Sequence, residues 1–390
     1  LLDRAGNLWL GFYGQGLFRR TGPDLATGRR PDFEDMDVHA LFQDSRGRIW
    51  VGGEKTAVTQ NGEVFEPVGG PFGSGGDAAR YFVENPADGS IWIAGTKNRI
   101  YRKADGEPMA VETTGAILES QINAMVFDRD GNLWLATSGQ GLGRLKGGRL
   151  HFIPPSTVLP ATLLGCLLED DSGNLWAGSN RGVWRIERES LLEVADGRSS
   201  RLRCQGFTIN DGLASAECTI GFQPSGARDA SGRLWFATLK GVARVDPNRI
   251  QIETEAPLSR IESAAYLDPE GRRHRIRLQD NAGLRVPAGN TQIEVDYTAP
   301  TFSDPARVWF SRRLLKGDEV LEAVETTSRC ATASLLPPGD YTLEIRAANH
   351  HGVLATAPTL VHFSVQPFFW QTVWFRTTVW GVILAGVGGA

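Results

Sequence analysis

Acid–base, nucleophilic and metal chemistry each need particular side chains gathered in one place, and this 390-residue sequence is sparing with all three. Its six histidines are His39, His151, His274, His350, His351 and His362, and only the first two precede residue 250. A lone imidazole with no partner imidazole in the same stretch does not make an acid–base pair. No serine stands in a G-x-S-x-G setting and no G-x-x-x-x-G-K phosphate cradle occurs. The acids of Asp128-Arg129-Asp130-Gly131-Asn132 lack the further oxygen ligands and the closing Glu of a calcium loop. Cys166, Cys204, Cys218 and Cys330 are too few and too scattered for a zinc site or a disulfide scaffold. Cys204 and Cys218, fourteen apart, either join in an oxidising compartment or stay buried thiols. The expectation is no catalytic residue, no metal and no cofactor.

Binding chemistry is better represented. Six turns that each follow a tryptophan-centred run, at 12–15, 54–56, 96–99, 138–140, 179–181 and 239–240, carry Lys55, Lys97, Arg99, Arg181 and Lys240 against one acid, Glu54. Tyr13, Gln15, Asn98, Gln140 and Asn180 accompany them as hydrogen-bonding groups. Gathered on one face, these ten residues would attract an anionic or hydroxyl-rich small molecule or oligosaccharide; cations solvated singly at exposed turns would look the same in sequence. The turns before the tryptophans collect Asp3, Asp44, Asp88, Asp128, Asp130, Asp170, Asp171 and Asp229, a residue type that stabilises tight turns by accepting from its own backbone.

A repeat positions these turns. Trp9, Trp50, Trp92, Trp134, Trp176 and Trp235 are spaced 41, 42, 42, 42 and 59 apart. Within a unit an alternating run such as Ile122–Phe127 leads to a D-x-x-G-N turn, then to runs at 133–137, 142–145 and 150–153. Four antiparallel strands every 42 residues make a propeller blade, because one such sheet cannot bury both faces and must stack on its copies. Each tryptophan is expected to wedge between blades. Residues 1–250 then hold six blades of an all-β ring, and a first blade lacking its innermost strand leads us to expect a seventh blade upstream. The sixth unit is displaced by about 17 residues, an insertion that includes the helically spaced ESLLEVADG.

Beyond residue 250 the texture changes. Residues 251–366 hold alternating runs at 291–297, 308–314 and 341–347, with turns at 268–271, 288–290 and 337–339. Seven or so short strands suggest an immunoglobulin-like β-sandwich. Residues 367–390 crowd Phe368, Phe369, Trp370, Trp374, Phe375 and Trp380 around Arg376 before fourteen uncharged residues. That mixture favours a membrane interface and the start of a transmembrane helix. The opening LLDRAGNLWL shows no secretory leader and reads as the interior of a longer protein. A net charge of −4 with no block of like charge speaks against nucleic acid. Glycine at 46 residues, about 12% against a norm of roughly 7%, fits many short strands joined by tight turns.

The D-x-x-G-N-L-W-x-G/A-T/S…G-L units resemble the two-component regulator propeller repeat, and VWFSRRLLKG…LLPPGDYTLEIRAANHHGV…FSVQPFFWQTVWFR resembles the three-Y domain that follows it in bacterial membrane sensors. The resemblance implies a periplasmic ligand-sensing ectodomain held at the inner membrane by a C-terminal helix and acting as a homodimer through the sandwich. It also implies an output domain outside this chain, a histidine kinase, diguanylate cyclase or DNA-binding module. Two other classes fit the repeat: a streptogramin-type propeller lyase or hydrolase, which would gather a general base at the channel mouth where His39 alone is expected, and a protein-interaction scaffold.

Overall fold

The structure, a computed structural model, describes residues 1–20, 27–73, 76–155, 159, 161–199, 202–250, 255–276, 284–301, 308–349 and 353–379. It divides into two compact units, Leu1–Gln251 and Ile252–Ala390.

The first unit is a succession of six sheets. The first contains β1 (Leu8–Phe12), β2 (Gly16–Arg20) and β3 (Thr27–Arg29). The second runs β4 (Val38–Gln43), β5 (Ile49–Gly53), β6 (Ala57–Thr59) and β7 (Glu66–Pro67). The third runs β8 (Ala79–Glu84), β9 (Ile91–Gly95), β10 (Ile100–Lys103) and β11 (Met109–Ala110). In the fourth, β12 (Thr114–Gly115) adds in parallel to the outer edge of β13 (Ile122–Phe127), β14 (Leu133–Thr137), β15 (Leu142–Lys146) and β16 (Arg149–Ile153). The fifth comprises β17 (Leu164–Glu169), β18 (Leu175–Ser179), β19 (Gly182–Ile186) and β20 (Cys204–Phe207), and the sixth β21 (Gly226–Arg228), β22 (Leu234–Thr238) and β23 (Gly241–Val245). The predicted helix is α1 (Arg188–Ala195), but it precedes the outer strand of the fifth sheet. The insertion thus decorates the fifth blade, because Cys204–Phe207 completes that sheet by pairing with β19. In the first sheet the Trp9 strand is the edge, where Leu2 bridges Leu8 and Leu1 exchanges backbone hydrogen bonds with Trp9.

One device recurs in the turns before five of the six tryptophans. In five sheets an aspartate accepts from the indole N–H six residues on: Asp3 from Trp9 at 2.8 Å, Asp44 from Trp50 at 2.9 Å, Asp128 from Trp134 at 2.7 Å, Asp170 from Trp176 at 2.8 Å and Asp229 from Trp235 at 3.0 Å. The same carboxylates accept backbone N–H groups two or four residues ahead, as Asp170 does from Ser172 and Asn174. In the third sheet Ser90 receives the Trp92 indole, at 3.2 Å. The aspartates are therefore turn anchors, and Asp130 and Asp171 pair with Arg188 and Arg228. Directly across from the tryptophan the neighbouring strand carries arginine in five sheets: Arg19, Arg102, Arg144, Arg185 and Arg244. Arg19, Arg144 and Arg244 lie over the indole rings, a cation–π placement.

The tryptophans pack between sheets as expected. Trp9 shares a core with Val38 and Leu41 of the second sheet, Trp50 with Phe82 and Ile93 of the third, Trp134 with Leu164 and Leu167 of the fifth, and Trp176 with Leu234 and Phe236 of the sixth. A largely buried indole removes upwards of 150 Å² from water, so the stack of sheets is held chiefly by these wedges. Trp235, in the sixth sheet, is only half-buried.

The second unit pairs two sheets over one core. One contains β24 (Arg260–Leu267), β25 (Arg273–Ile276), β27 (Gln292–Thr298) and β30 (Cys330–Ser334). The other is ordered β26 (Leu284–Val286), β32 (Thr359–Val365), β31 (Gly339–Ala348), β28 (Trp309–Lys316), β29 (Glu319–Thr326). Ile293, Val295 and Tyr297 from the first meet Phe310, Leu343, Ile345 and Phe363 from the second. Residues 373–379 are helical, and no helix among the described residues is long and apolar enough to cross a membrane; the expected membrane-entering run at 380–390 lies outside the described residues. All four cysteines are free thiols, so the alternative of a Cys204–Cys218 bond is not realised. Cys204 packs in the core shared by the fourth and fifth sheets and Cys218 in that shared by the fifth and sixth.

Candidate functional site

The innermost strands carry a feature that composition does not reveal. Pairing with the tryptophan strand slips by one residue between Val38 and Ala40, Ala79 and Tyr81, Ile122 and Ala124, and Leu164 and Cys166. Each slip is a β-bulge, a device that re-aims a side chain out of the alternating pattern. The bulged residues are His39, Arg80, Asn123 and Gly165, the second residue of β4, β8, β13 and β17.

Three of these bulges, at His39, Arg80 and Gly165, meet a strap formed by residues 220–223. The Gln223 backbone pairs in parallel with Ala40, donating to the His39 carbonyl at 2.9 Å and accepting from the Leu41 N–H at 3.0 Å. Its side-chain amide accepts from the Phe82 N–H and donates to the Phe82 carbonyl, both at 2.8 Å. The segment just before the sixth sheet is thereby bonded to the inner strands of the second and third, across 141 residues of sequence. Arg80 donates to the Gly221 carbonyl at 3.2 Å. With its amide oxygen turned to Arg80, Gln121 accepts from all three guanidinium nitrogens at 2.5 to 3.0 Å. Asn123 donates to Ser138 and to the Leu164 carbonyl, each at 2.8 Å. At Gly165 a Cβ would come within 2.5 Å of Ile220, so only glycine admits the strap.

On the strap sits an aromatic shelf. His39 stacks on Phe222 with centroids 5.9 Å apart and meets Tyr13 edge-on at 6.0 Å. The Tyr13 turn is fixed because the Gly14 N–H donates to Asp37 at 2.7 Å. Tyr13 is 70% exposed and Phe222 42%, unusual for rings held against one another. Burial and then the nearby Arg80 push the His39 pKa below the ordinary histidine value, against the opposing pull of Asp37 and Glu54. Burial thus favours the neutral imidazole, and its Nδ1 is buried without a hydrogen-bond partner among the described residues. The imidazole lies between two exposed rings, beside a guanidinium committed to Gln121 and Gly221. Among the described residues no group of three His, Cys, Asp or Glu is placed to hold a metal ion.

The ten residues expected to bind ligand all lie in turns after the tryptophan strands, but they have different employments. Gln140 accepts from the Glu119 and Ser120 N–H groups and donates to Ile117, and Asn98 donates to Glu119, so both hold the connection into the fourth sheet. Asn180 pairs with Leu163 in the same way. Lys55 donates to the Asp32 carbonyl and lies over the Phe33 ring. Asn98 and Arg99 share a cleft of about 440 Å³ with Glu112 and Ile117. Tyr13 is the one of the ten in ring contact with a bulge residue, while Gln15, Lys97, Arg181 and Lys240 are exposed. Sequence reasoning named His39 but missed Arg80, Asn123, Phe222 and Gln223. The available signal was a polar residue or glycine standing second in each inner run, V-H-A-L-F, A-R-Y-F-V, I-N-A-M-V and L-G-C-L-L.

Comparison with known proteins agrees with this architecture. The profile of the two component regulator propeller family matches residues 32–55 and 116–139, parts of the second and fourth repeat units. Histidine kinase P4 of Formosa agariphila is 23% identical over 205 residues, which is 50% of this chain and 14% of the kinase. A weaker structural likeness, at TM-score 0.49 and 16% identity, is to virginiamycin B lyase from Staphylococcus aureus, covering 76% of this chain and 90% of the lyase. The extracellular domain of a protein assigned as a hybrid two component system of B. thetaiotaomicron superposes at TM-score 0.65 with 17% identity, covering 94% of this chain and 50% of that domain. The chain thus spans half or less of these two sensor relatives, and it shares the all-β, propeller-like fold of a two-component sensor's extracellular domain.

Proposed function

We propose that this chain is the extracytoplasmic ligand-sensing region of a bacterial transmembrane signalling protein, lying in the periplasm and recognising a carbohydrate or anionic small molecule. The observation that carries the reading is the shelf of Tyr13, His39 and Phe222 on the strap. Binding sites combine exposed apolar rings with a few fixed polar groups, and Tyr13, exposed and in a turn fixed by Asp37, brings both a ring and a hydroxyl. Lys97, Arg99, Arg181 and Lys240, in the turns after the tryptophan strands, add positive charge that draws anionic ligands.

In this reading the two sheets of the second unit form the immunoglobulin-like sandwich of a three-Y domain. Phe369, Trp370 and Trp374, exposed by 61%, 47% and 63%, settle at the headgroup level of the bilayer. Two chains meet through their sandwiches, and ligand shifts the pair between arrangements by its differential affinity for them. The test is thermal denaturation of the chain against panels of neutral, uronate-containing and sulfated oligosaccharides. A ligand at a hundred times its Kd stabilises by about 2.7 kcal/mol, a shift of a few degrees. At least one class is expected to produce it, and a flat response to every class refutes the reading.

A further inference from the structure

A second site lies away from the shelf, on the outer hairpin of the fourth sheet. β15 and β16 are joined by Gly147 and Gly148, both at positive φ, the geometry of a tight two-residue hairpin turn. Register puts Arg144 opposite His151 and Lys146 opposite Arg149. Opposed residues and residues two apart share a face, so all four stand together while Leu145 and Leu150 point into the core. They line a cleft of about 390 Å³ closed by the end of α1 and Asp196.

The charges in this cleft do not balance. Arg144 is 8% exposed; one of its terminal nitrogens binds the Ala195 carbonyl and the Asp196 carboxylate, each at 2.7 Å, while the other, Nη1, is buried with no partner. Lys146, Arg149 and His151 are exposed, and their side chains have no ion-pair or hydrogen-bond partner among the described residues. Asp196 is the one carboxylate lining the cleft, and it also binds Arg198. Three permanent cations against one acid leave an excess of two positive charges. Like charges directly opposed across a hairpin destabilise it, and an orphaned buried N–H adds to that cost. A dianionic ligand in the cleft relieves the repulsion between the exposed cations.

The geometry points to this cleft as a binding site for a small ligand bearing two neighbouring sulfate or phosphate groups, with Lys146, Arg149 and His151 as the contacts and the buried Arg144 guanidinium adding positive charge to the wall. The volume suits a disaccharide-sized molecule. The site is independent of the proposed sensing shelf, being built on the third and fourth strands of a sheet whose first strand carries the bulge.

The test is calorimetric titration of the full chain with sucrose octasulfate, inorganic pyrophosphate and, as a neutral control, sucrose. The expected result is binding of at least one anionic probe that weakens with added salt and falls at least tenfold in Lys146→Gln/Arg149→Gln, whose exposed side chains are not needed for folding. Preference for one anion over the other identifies a sulfated sugar or a phosphate as the source. Lys97→Gln/Arg181→Gln, on the turns of the first proposal, should keep the binding event that the first variant loses, whatever happens to any separate event at those turns. No binding of either anion, equal binding of sucrose, undiminished binding in the first variant, or loss of one and the same binding event in both variants overturns the assignment.

Discussion

Replacing Asp170 by alanine tests how the tryptophan wedges are held. Asp170 is 3% exposed, and its carboxylate accepts from the Trp176 indole at 2.8 Å, from the Ser172 and Asn174 N–H groups at 3.0 and 2.9 Å, and from the Asn174 amide at 3.0 Å. Trp176 is itself fully buried. Alanine leaves at least two buried donors, the indole and the Asn174 N–H, without an acceptor, at about 1–3 kcal/mol each. Partial relaxation of the turn brings the expected loss to roughly 3–4 kcal/mol, in the range reserved for a broken buried network. Asp130 is the matched control: it pairs with Arg188 at the surface, with 40% of its side chain exposed, and its alanine variant should lose at most about 1 kcal/mol. Urea unfolding followed by tryptophan fluorescence and far-ultraviolet dichroism reads both. Asp170→Asn, which keeps one acceptor, should fall between them. A loss below about 1 kcal/mol for Asp170→Ala, or equal losses at the two positions, refutes the reasoning.

Other consequences are open to measurement. Gly165→Val drives a side chain into Ile220 and should destabilise the first unit by about 1–3 kcal/mol while speeding hydrogen exchange at Leu41 and Gln223; unchanged exchange would show that the strap does not depend on the glycine. Burial pushes the Cys166 thiol up to about 12 and raises Cys204 and Cys218 as well. These three should resist alkylation in the native protein, and all four should be alkylated after denaturation without reductant; a linked Cys204–Cys218 peptide in the mass spectrum would contradict this. The Trp235 indole, working against burial and helped by Arg233, holds the Asp229 carboxyl at about 2, below its ordinary 3.8. A depressed folded pKa contributes stability above the unfolded value and loses it as pH falls toward the folded one. Stability should therefore drop between pH 4 and 2 by less in Asp229→Asn than in the wild type, and equal slopes would disprove the link.

The repeat was legible because one physical requirement recurs at fixed spacing. A tryptophan must be buried against the next sheet, and its indole N–H must find an acceptor, so D-x-x-G-N-x-W announces turn, strand and wedge together. Glycines such as Gly173, with φ at 82°, mark the same turns, a conformation open to few other residues. The strap was not legible. Gln223 meets Phe82 across 141 residues, and nothing local in T-I-G-F-Q-P predicts which strands it will join. The helix was read correctly but placed in the wrong sheet, since Cys204–Phe207 looks like any short apolar run until its pairing with β19 is known. The basic turns were visible as a list of cations, yet sequence could not tell that Gln140 and Asn98 are occupied in bracing a connection while Lys97 and Arg181 are exposed.

The most direct test of the sensing account is calorimetric titration of the chain with the most stabilising oligosaccharide from the thermal panel, repeated on Tyr13→Ala/Phe222→Ala. Both rings are exposed, so the variant should keep the wild-type melting temperature in the absence of ligand. The account predicts saturable binding that weakens at least tenfold when the two rings are removed. Binding of the same strength with the shelf gone would contradict it.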